Sequence, residues 1–169
     1  MSKNHITAVY SGTFDPMTNG HVDIAARASQ LFDKLIIAVS DFPGSKKKHM
    51  FSAEERVSFA KEALKKYPNI EITTFNKLLI DFVKDVNSKV IVRGIRSFTD
   101  FDYEEQLNGM NSYLDPAIET IYLTCSPHLS FVSSTLVKEV AYLGKDVSDL
   151  VPEVAAKSIY NIYKKNHGR

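Results

Sequence analysis

The sequence contains one cysteine, Cys125, among its 169 residues. A single thiol excludes an internal disulfide and the common zinc sites that need several cysteines, and it suits a reducing cytosol. No apolar run approaches the length that crosses a membrane. The apolar part of the N-terminus is also too short, and too soon interrupted, for a signal peptide. We therefore expect a soluble cytoplasmic protein that does not act at a membrane.

The chain also lacks an excess of charge of either sign. Lysine and arginine together number 21, aspartate and glutamate number 20, and the formal net charge is +1. A charge so close to zero gives no overall attraction to nucleic acid, so no nucleic-acid partner is expected. Any bound anion must therefore be held by a local cluster of cations.

Two glycine-rich nucleotide signatures are absent as well. Neither the dinucleotide fingerprint G-x-G-x-x-G nor the Walker loop G-x-x-x-x-G-K-[ST] occurs in the sequence. These absences argue against an ordinary dinucleotide site and against a Walker-type site. The hydrophobic share of 44% and the charged share of 24% are ordinary for a globular protein, and the length suits a single domain, 1–169.

Short apolar segments alternate along the chain with segments of helical periodicity. Ser52 and Glu55 form a capping-box pattern that predicts the start of one helix. Strands separated by helices imply βαβ units, a parallel sheet and right-handed crossovers. We predict a single doubly wound α/β domain with a five-stranded parallel sheet and a ligand crevice at the carboxyl ends of its strands. The predicted strands are 6–9, 35–39, 70–74, 90–92 and 118–123, and the predicted helices are 20–32, 52–66, 78–86, 100–113, 133–143 and 152–165.

The most informative segment is YSGTFDPMTNGH, residues 10–21, between the first predicted strand and the first predicted helix. A loop that leads from a strand into a helix presents backbone amides and the positive end of the helix dipole to an anion. Thr13, Asp15 and His21 add a hydroxyl, a carboxylate and an imidazole that a simple turn does not need. The structural alternatives are a turn residue before Pro16 for Asp15 and a polar helix cap for His21.

Three further segments are expected to converge on the same crevice, because each follows a predicted strand. They are 45–48 after the second strand, 93–96 after the fourth, and 130–135 after the fifth, at the start of a helix. Their lysines, arginines and hydroxyls would suit a polyphosphate. The alternatives are a solvated lysine turn, an ordinary helix cap and structural salt bridges. The salt bridges would join Arg93 or Arg96 to Asp100, Asp102 or Glu104.

Thr18-Asn19-Gly20-His21 matches the T/H-x-G-H signature of the nucleotidylyltransferase superfamily. Within that superfamily the chain resembles the bacterial phosphopantetheine adenylyltransferase family almost end to end. The resemblance rests on four segments in the family's order and spacing: 12–21, 46–57, 90–111 and 131–141. It implies a Rossmann-like nucleotidylyltransferase fold.

The resemblance also implies a reaction in coenzyme A biosynthesis. ATP and 4'-phosphopantetheine would give dephospho-coenzyme A and pyrophosphate, by direct in-line attack of the acceptor phosphate on the α-phosphorus of ATP. Mg2+ would be bound mainly through the ATP phosphates. Family members resemble one another in being homohexamers, and coenzyme A is a feedback ligand in some of them.

Site residues follow from the same resemblance. His21 would stabilise the transition state and Lys47 would orient the nucleophile, with Lys46 as the alternative because the lysine loop has one residue more than usual. Contacts with phosphopantetheine would come from Thr13, Lys47, Leu79 beside Leu78, and Arg93. Contacts with ATP would come from Thr13, Phe14, His21, Arg93, Gly94, Arg96, Glu104, Val132, Ser133, Ser134 and Thr135.

The chain departs from the family at three positions. Ser11 replaces a proline, Thr135 replaces a serine and keeps the hydroxyl, and Leu129 stands where some members have a tryptophan near the adenine pocket. Two rival functions are considered, namely a nucleotidylyltransferase with another acceptor and a non-catalytic nucleotide or coenzyme A sensor on the same fold. Phe101 and Tyr142 are the expected subunit-contact residues. Phe98, Phe101 and Tyr103 are expected to pack on the fourth helix rather than to form a stacking platform.

Overall fold

The computed structural model describes residues 5–42 and 48–167, with side chains up to residue 164. The strands are β1 (Thr7–Gly12), β2 (Lys34–Ser40), β3 (Ile70–Phe75), β4 (Val90–Ile95) and β5 (Glu119–Thr124). The helices are α1 (Asn19–Leu31), α2 (Ala53–Leu64), α3 (Leu79–Asp85), α4 (Phe98–Leu114), α5 (Ser134–Tyr142) and α6 (Glu153–His167), with a 3₁₀ turn at Pro127–Leu129. Among these described helices, none is both long enough and apolar enough to cross a membrane.

All five strands run parallel in the order β3-β2-β1-β4-β5. The chain winds outward from β1 to β3, and then returns to place β4 against the other side of β1. Such a reversal leaves a crevice outside the carboxyl ends of the two central strands, here β1 and β4. The predicted doubly wound, five-stranded parallel sheet is confirmed.

β4 is longer than the sequence predicts. The apolar run ends at Val92, so residues 93–96 are expected in a loop, but the strand continues to Ile95. Backbone pairing sets the length of the strand, because residues 93–95 pair with residues 122–124 of β5. Arg93 is therefore a strand residue. The prediction that residues 93–96 follow the strand is wrong for 93–95 and correct only for Arg96.

Two hydrophobic clusters cover opposite faces of the sheet. Alternate residues of a strand point to opposite faces, so Ala8 and Leu35 pack with α1 and α2 whereas Val9 and Ile36 pack with α3. A third cluster joins α2, α5 and α6. This third cluster holds α5 against the rest of the domain and so places its first turn beside the crevice.

Helix α4 packs less tightly than the others. None of its residues, all of which the structure describes, is fully buried. The prediction that Phe98 and Tyr103 pack is wrong for a single chain, since they are 92% and 61% exposed. Phe101 does contact the Tyr122 ring of β5, at 5.3 Å between centroids. Four exposed apolar side chains recur at helical spacing on one side of this helix; we call Tyr103, Leu107, Met110 and Leu114 the α4 apolar face.

The N-terminus of α2 offers a test of local stability. Ser52 Oγ accepts a hydrogen bond from Glu55 N at 3.2 Å, and Glu55 Oε2 accepts one from Ser52 N at 2.8 Å, which confirms the predicted capping box. We expect Ser52→Ala to lower the free energy of unfolding by about 1 kcal/mol, because the first turn loses an acceptor. Ser52→Asp keeps an acceptor and should change it far less. Urea unfolding at fixed protein concentration measures both variants, and equal losses would contradict the capping role.

Candidate active site

A crevice of about 520 Å³ opens where β1 and β4 end, as the strand order predicts. Its walls come from the loop after β1, the first turn of α1, the end of β4, the first half of α4 and the start of α5. The lining includes every residue that the sequence analysis assigned to ATP, namely Thr13, Phe14, His21, Arg93, Gly94, Arg96, Glu104, Val132, Ser133, Ser134 and Thr135.

Some of the residues predicted to contact phosphopantetheine are not among the described residues that line this crevice. Lys47 and its alternative Lys46 lie outside the described residues. Leu79 begins α3, packs against the cluster on that side of the sheet and does not line the described crevice. Leu78 is 60% exposed. The roles of these four residues stay predictions.

Three rings in edge-to-face contact shape the loop after β1. The Phe14 ring meets the Tyr10 ring at 5.4 Å and the His21 ring at 5.2 Å, edge to face in both cases. The backbone of Phe14 is left-handed, with a φ of 50°. A Cβ on Gly12 would lie only 2.9 Å from the Phe14 ring, so a glycine is needed there for the rings to pack. This packing fixes the orientation of His21.

His21 closes the first turn of α1 and also lines the crevice. Its Nδ1 accepts a hydrogen bond from Thr18 N at 2.9 Å, while its own amide donates to Thr18 Oγ1 at 3.4 Å. Because Nδ1 accepts from an amide, we assign the proton of the neutral ring to Nε2. The helix-cap interpretation of His21 is therefore correct and compatible with a role in the site.

The imidazole of His21 is held neutral. Burial, the largest cause, and the positive charges of Arg96 and Arg93 together lower its pKa from 6.5 to about 4. At neutral pH the ring is thus a hydrogen-bond donor without a charge. The Nε2–H group of His21 can therefore donate a hydrogen bond to a phosphoryl oxygen.

Asp15 anchors the loop rather than merely turning it. Its carboxylate, 3% exposed, accepts hydrogen bonds from Met50 N at 2.9 Å and Phe51 N at 3.0 Å, and pairs with Lys138 Nζ at 2.9 Å. Burial by itself would raise the pKa of Asp15, but these donors more than offset it and the pKa is lowered. Asp15 therefore stays ionised and ties the segment before α2 and helix α5 to the β1 loop.

Arg93 forms a salt bridge with a carboxylate of α4, which was the structural alternative to a phosphate contact. Its Nε and Nη2 donate to the two carboxylate oxygens of Glu104, both at 2.6 Å, in a bidentate pair. Its Nη1 donates to Ser11 O at 2.8 Å and Ser11 Oγ at 3.1 Å. Burial by itself would lower the pKa of Arg93, but the Glu104 carboxylate more than offsets this and raises it. Ser11 thus supplies both a carbonyl and a hydroxyl acceptor to Arg93.

Arg96 is also paired, but it is more exposed. Its Nε and Nη2 donate to the carboxylate of Asp100 at 2.8 and 3.1 Å, and its Nη1 donates to Val132 O at 3.2 Å. The last bond joins the end of β4 to the segment before α5. Both arginines therefore line the crevice in orientations fixed by carboxylates of α4.

The three hydroxyls at the start of α5 have different surroundings. Ser133 Oγ caps the helix by accepting from Leu136 N at 3.1 Å, and Ser134 Oγ donates to Pro16 O at 2.8 Å. Thr135 is exposed at the crevice. One hydroxyl is therefore the ordinary cap, the second fixes the helix to the β1 loop, and the third can meet a ligand.

Two cations near the site were missed by the sequence analysis. Lys138 lines the crevice beside Asp15. It lies one turn after Ser134 on the same helical face, which is a spacing that could have indicated it. Arg56 is buried behind Thr13, with Nη1 donating to Thr13 O at 2.7 Å. No sequence signal identified it, because a charged residue of an amphipathic helix is ordinarily expected on the solvent side.

Comparison with known proteins defines the class to which this fold and site belong. The sequence profile of the cytidylyltransferase-like family matches residues 9–140, which contain the elements that build the crevice. A solved structure, the lipopolysaccharide core biosynthesis protein from Thermoplasma volcanium GSS1, is similar with a TM-score of 0.52 and 19% identity. The match covers 72% of this chain and 96% of that one, and it shows the fold alone. The class is thus that of the cytidylyltransferase-like nucleotidylyltransferases.

Curated relatives identify the group within that class. The chain is 46% identical over 153 residues to the phosphopantetheine adenylyltransferase of Hahella chejuensis, covering 90% of this chain and 94% of that protein. It is 51% identical over 146 residues to the phosphopantetheine adenylyltransferase of Cupriavidus taiwanensis, covering 86% and 89%. The chain belongs to the cytidylyltransferase-like family and, within it, to the phosphopantetheine adenylyltransferases.

The lowered pKa of His21 predicts a dependence of stability on pH. Between pH 6.5 and about 4 the unfolded chain binds a proton at His21 that the folded protein rejects. The free energy of unfolding should therefore fall as the pH is lowered through this window. In His21→Gln, which keeps a helix-capping acceptor at this position, this part of the fall should disappear.

Urea unfolding at several pH values and one protein concentration measures this difference. Subtracting the profile of His21→Gln from that of the unaltered protein removes the contributions of other titrating groups. Parallel profiles for the two proteins would contradict the lowered pKa.

Proposed function

We propose that this protein transfers the adenylyl group of ATP to 4'-phosphopantetheine, giving dephospho-coenzyme A and pyrophosphate in coenzyme A biosynthesis. The observation that carries the proposal is that one crevice contains all of the residues that the resemblance assigned to ATP. Curated relatives of that name, 46% and 51% identical over most of the chain, support the same reaction.

The acceptor already carries a phosphate, which is a competent nucleophile at neutral pH. An oxygen of that phosphate attacks the α-phosphorus of ATP, a new P–O bond forms, and the bond from the α-phosphorus to the bridging oxygen breaks to release pyrophosphate. No general base is needed. The task of the site is to align two anions that repel each other and to absorb charge as the α-phosphorus becomes five-coordinate.

The residues of the crevice suit these tasks. His21 donates from Nε2 to the transferring phosphoryl group, since its Nδ1 is occupied by Thr18 N and its ring is neutral. Arg96 and the start of α5 take the β- and γ-phosphates, and Thr13 and Lys47 take the acceptor phosphate, with Lys46 as the alternative to Lys47. Such preorganised donors stabilise the transition state more than the ground state.

ATP is proposed to enter as its Mg2+ complex. In the part of the chain that the structure describes, no group of three or more histidine, cysteine or acidic side chains could hold a metal ion. The crevice carboxylates Asp15, Asp100 and Glu104 are already paired with Lys138, Arg96 and Arg93. Mg2+ would therefore be bound mainly through the ATP phosphates, where it offsets charge.

The proposal also covers the oligomeric state and the binding of the product and the feedback ligand. We propose a cytoplasmic homohexamer whose subunits meet through the α4 apolar face, because four apolar side chains on one side of this helix are exposed in the single chain. Dephospho-coenzyme A and coenzyme A would bind in the same crevice as product and feedback ligand.

Pyrophosphate release from ATP and Mg2+, with and without 4'-phosphopantetheine, tests the reaction. We expect release that depends on the acceptor, with dephospho-coenzyme A as product. In His21→Ala turnover should fall about 10²–10³-fold, because one donor to the transition state is lost, while ATP still binds. Ser52→Ala is the matched control, since it also removes a helix cap but lies outside the crevice lining. Normal turnover in His21→Ala would contradict its role, and release with a different acceptor only would contradict the choice of substrate.

Light scattering tests the assembly. We expect the unaltered protein to have six times the mass of the chain, and Met110→Lys to form smaller species because a charge would be buried at the contact. Leu143→Lys is the control, since Leu143 is 74% exposed but lies at the end of α5. Equal masses for Met110→Lys and the unaltered protein would refute the α4 contact.

A further inference from the structure

Behind the wall of the crevice lies a buried cation that the proposed mechanism does not use. Arg56 is 1% exposed and is the largest fully buried side chain in the described part of the chain. Its Nη1 donates to Thr13 O at 2.7 Å and Ser40 O at 2.9 Å, and its Nε donates to Phe51 O at 3.3 Å. One guanidinium therefore joins the loop after β1, the end of β2 and the segment before α2.

These contacts neutralise the charge of Arg56 only weakly. All three acceptors are uncharged carbonyl groups. The ion-pair partner that the structure describes, Asp41, is 54% exposed, and its Oδ1 lies 3.9 Å from Nη2. Taking a charge out of water is unfavourable unless an opposite charge compensates for it. A neutral donor such as glutamine could bind carbonyls without that cost, so the buried charge itself calls for an explanation.

The charge lies directly behind a predicted phosphate contact. Ser40, whose carbonyl binds Arg56, also donates from Oγ to Thr13 Oγ1 at 3.4 Å. Arg56 thus fixes the backbone of Thr13 directly and its hydroxyl through Ser40. Because Thr13 lines the crevice, the positive charge behind it raises the electrostatic potential where an anion would bind.

We propose that Arg56 is a positioning residue for the phosphate end of the acceptor. It aligns Thr13 and supplies a buried positive charge that favours a phosphorylated acceptor over the same molecule without its phosphate. This inference rests on the proposed function, because it concerns the acceptor of that reaction. If Arg56 only stabilised the fold, replacing it would instead weaken the binding of all ligands of the crevice alike.

The test compares 4'-phosphopantetheine with pantetheine, which lacks the phosphate, by calorimetric titration. We expect Arg56→Gln to reduce the preference for the phosphorylated ligand about tenfold or more, because a nearby positive charge is lost. ATP affinity should fall less than phosphopantetheine affinity, because Thr13 is only one of the many crevice residues assigned to ATP. Arg27→Gln is the matched control, since Arg27 also donates to a main-chain carbonyl, Thr124 O at 2.6 Å, but has no contact with Thr13 among its described bonds. It should keep the full preference.

An unchanged preference in Arg56→Gln would overturn the inference, and so would an equal loss of affinity for both acceptors and ATP. If Arg56→Gln does not fold, Arg56→Lys keeps the charge without the fork that reaches three carbonyls. It should weaken phosphopantetheine binding while pantetheine binding stays the same, and the absence of that selective loss would overturn the inference.

Failure of the proposed function gives a different result. In that case the unaltered protein releases no pyrophosphate with phosphopantetheine. Titration with inorganic phosphate, compared between the unaltered protein and the Arg56 variants, then still decides the role of the buried charge: weaker phosphate binding in the variants supports it, and equal binding refutes it.

Discussion

A buried carboxylate at the edge of the crevice meets donors from two separate parts of the chain. Asp15 accepts hydrogen bonds from the amides of Met50 and Phe51 and pairs with Lys138, residues that lie 35, 36 and 123 positions away in the sequence. A carboxylate that is 3% exposed is tolerated only when its oxygens are bonded in this way. Its burial therefore requires the segment before α2 and helix α5 to approach the β1 loop. These approaches create two walls of the crevice.

The two arginines of the crevice show how a site can be both neutral and ready for anions. Arg93 and Arg96 each face a carboxylate of α4, so each pair carries no net charge. A guanidinium has five N–H donors in a fixed plane. The carboxylates accept from two of them in each case, while Ser11 accepts from Nη1 of Arg93 and Val132 O from Nη1 of Arg96. At least one N–H of each guanidinium is left for an anion. The ion pairs orient these planar groups before a ligand arrives, so less side-chain conformational entropy is lost on binding.

Side-chain contacts with short sequence separation could be predicted, and side-chain contacts with long separation could not. The capping box of Ser52 and the helix start at His21 involve residues three positions apart, so the sequence alone indicates them. The Arg96–Asp100 pair, four positions apart, was at least among the alternatives. Arg56 and Lys138 were missed because their partners Thr13 and Asp15 are 43 and 123 residues away. The extra length of β4 escaped prediction for a related reason, since it is set by the neighbouring strand rather than by the polarity of Arg93.

The attachment of α4 has a consequence for its motions. This helix has no fully buried residue among its described positions, and two of its links to the sheet are ion pairs, Arg93–Glu104 and Arg96–Asp100. Added salt screens exposed charges more strongly than buried ones, whereas hydrophobic contacts in the core are not weakened in this way. A rise in ionic strength therefore loosens the more exposed Arg96–Asp100 link of α4 before it affects the packing of β1 or β2. The helix that supplies carboxylates to the crevice is thus also a layer whose attachment depends on the salt concentration.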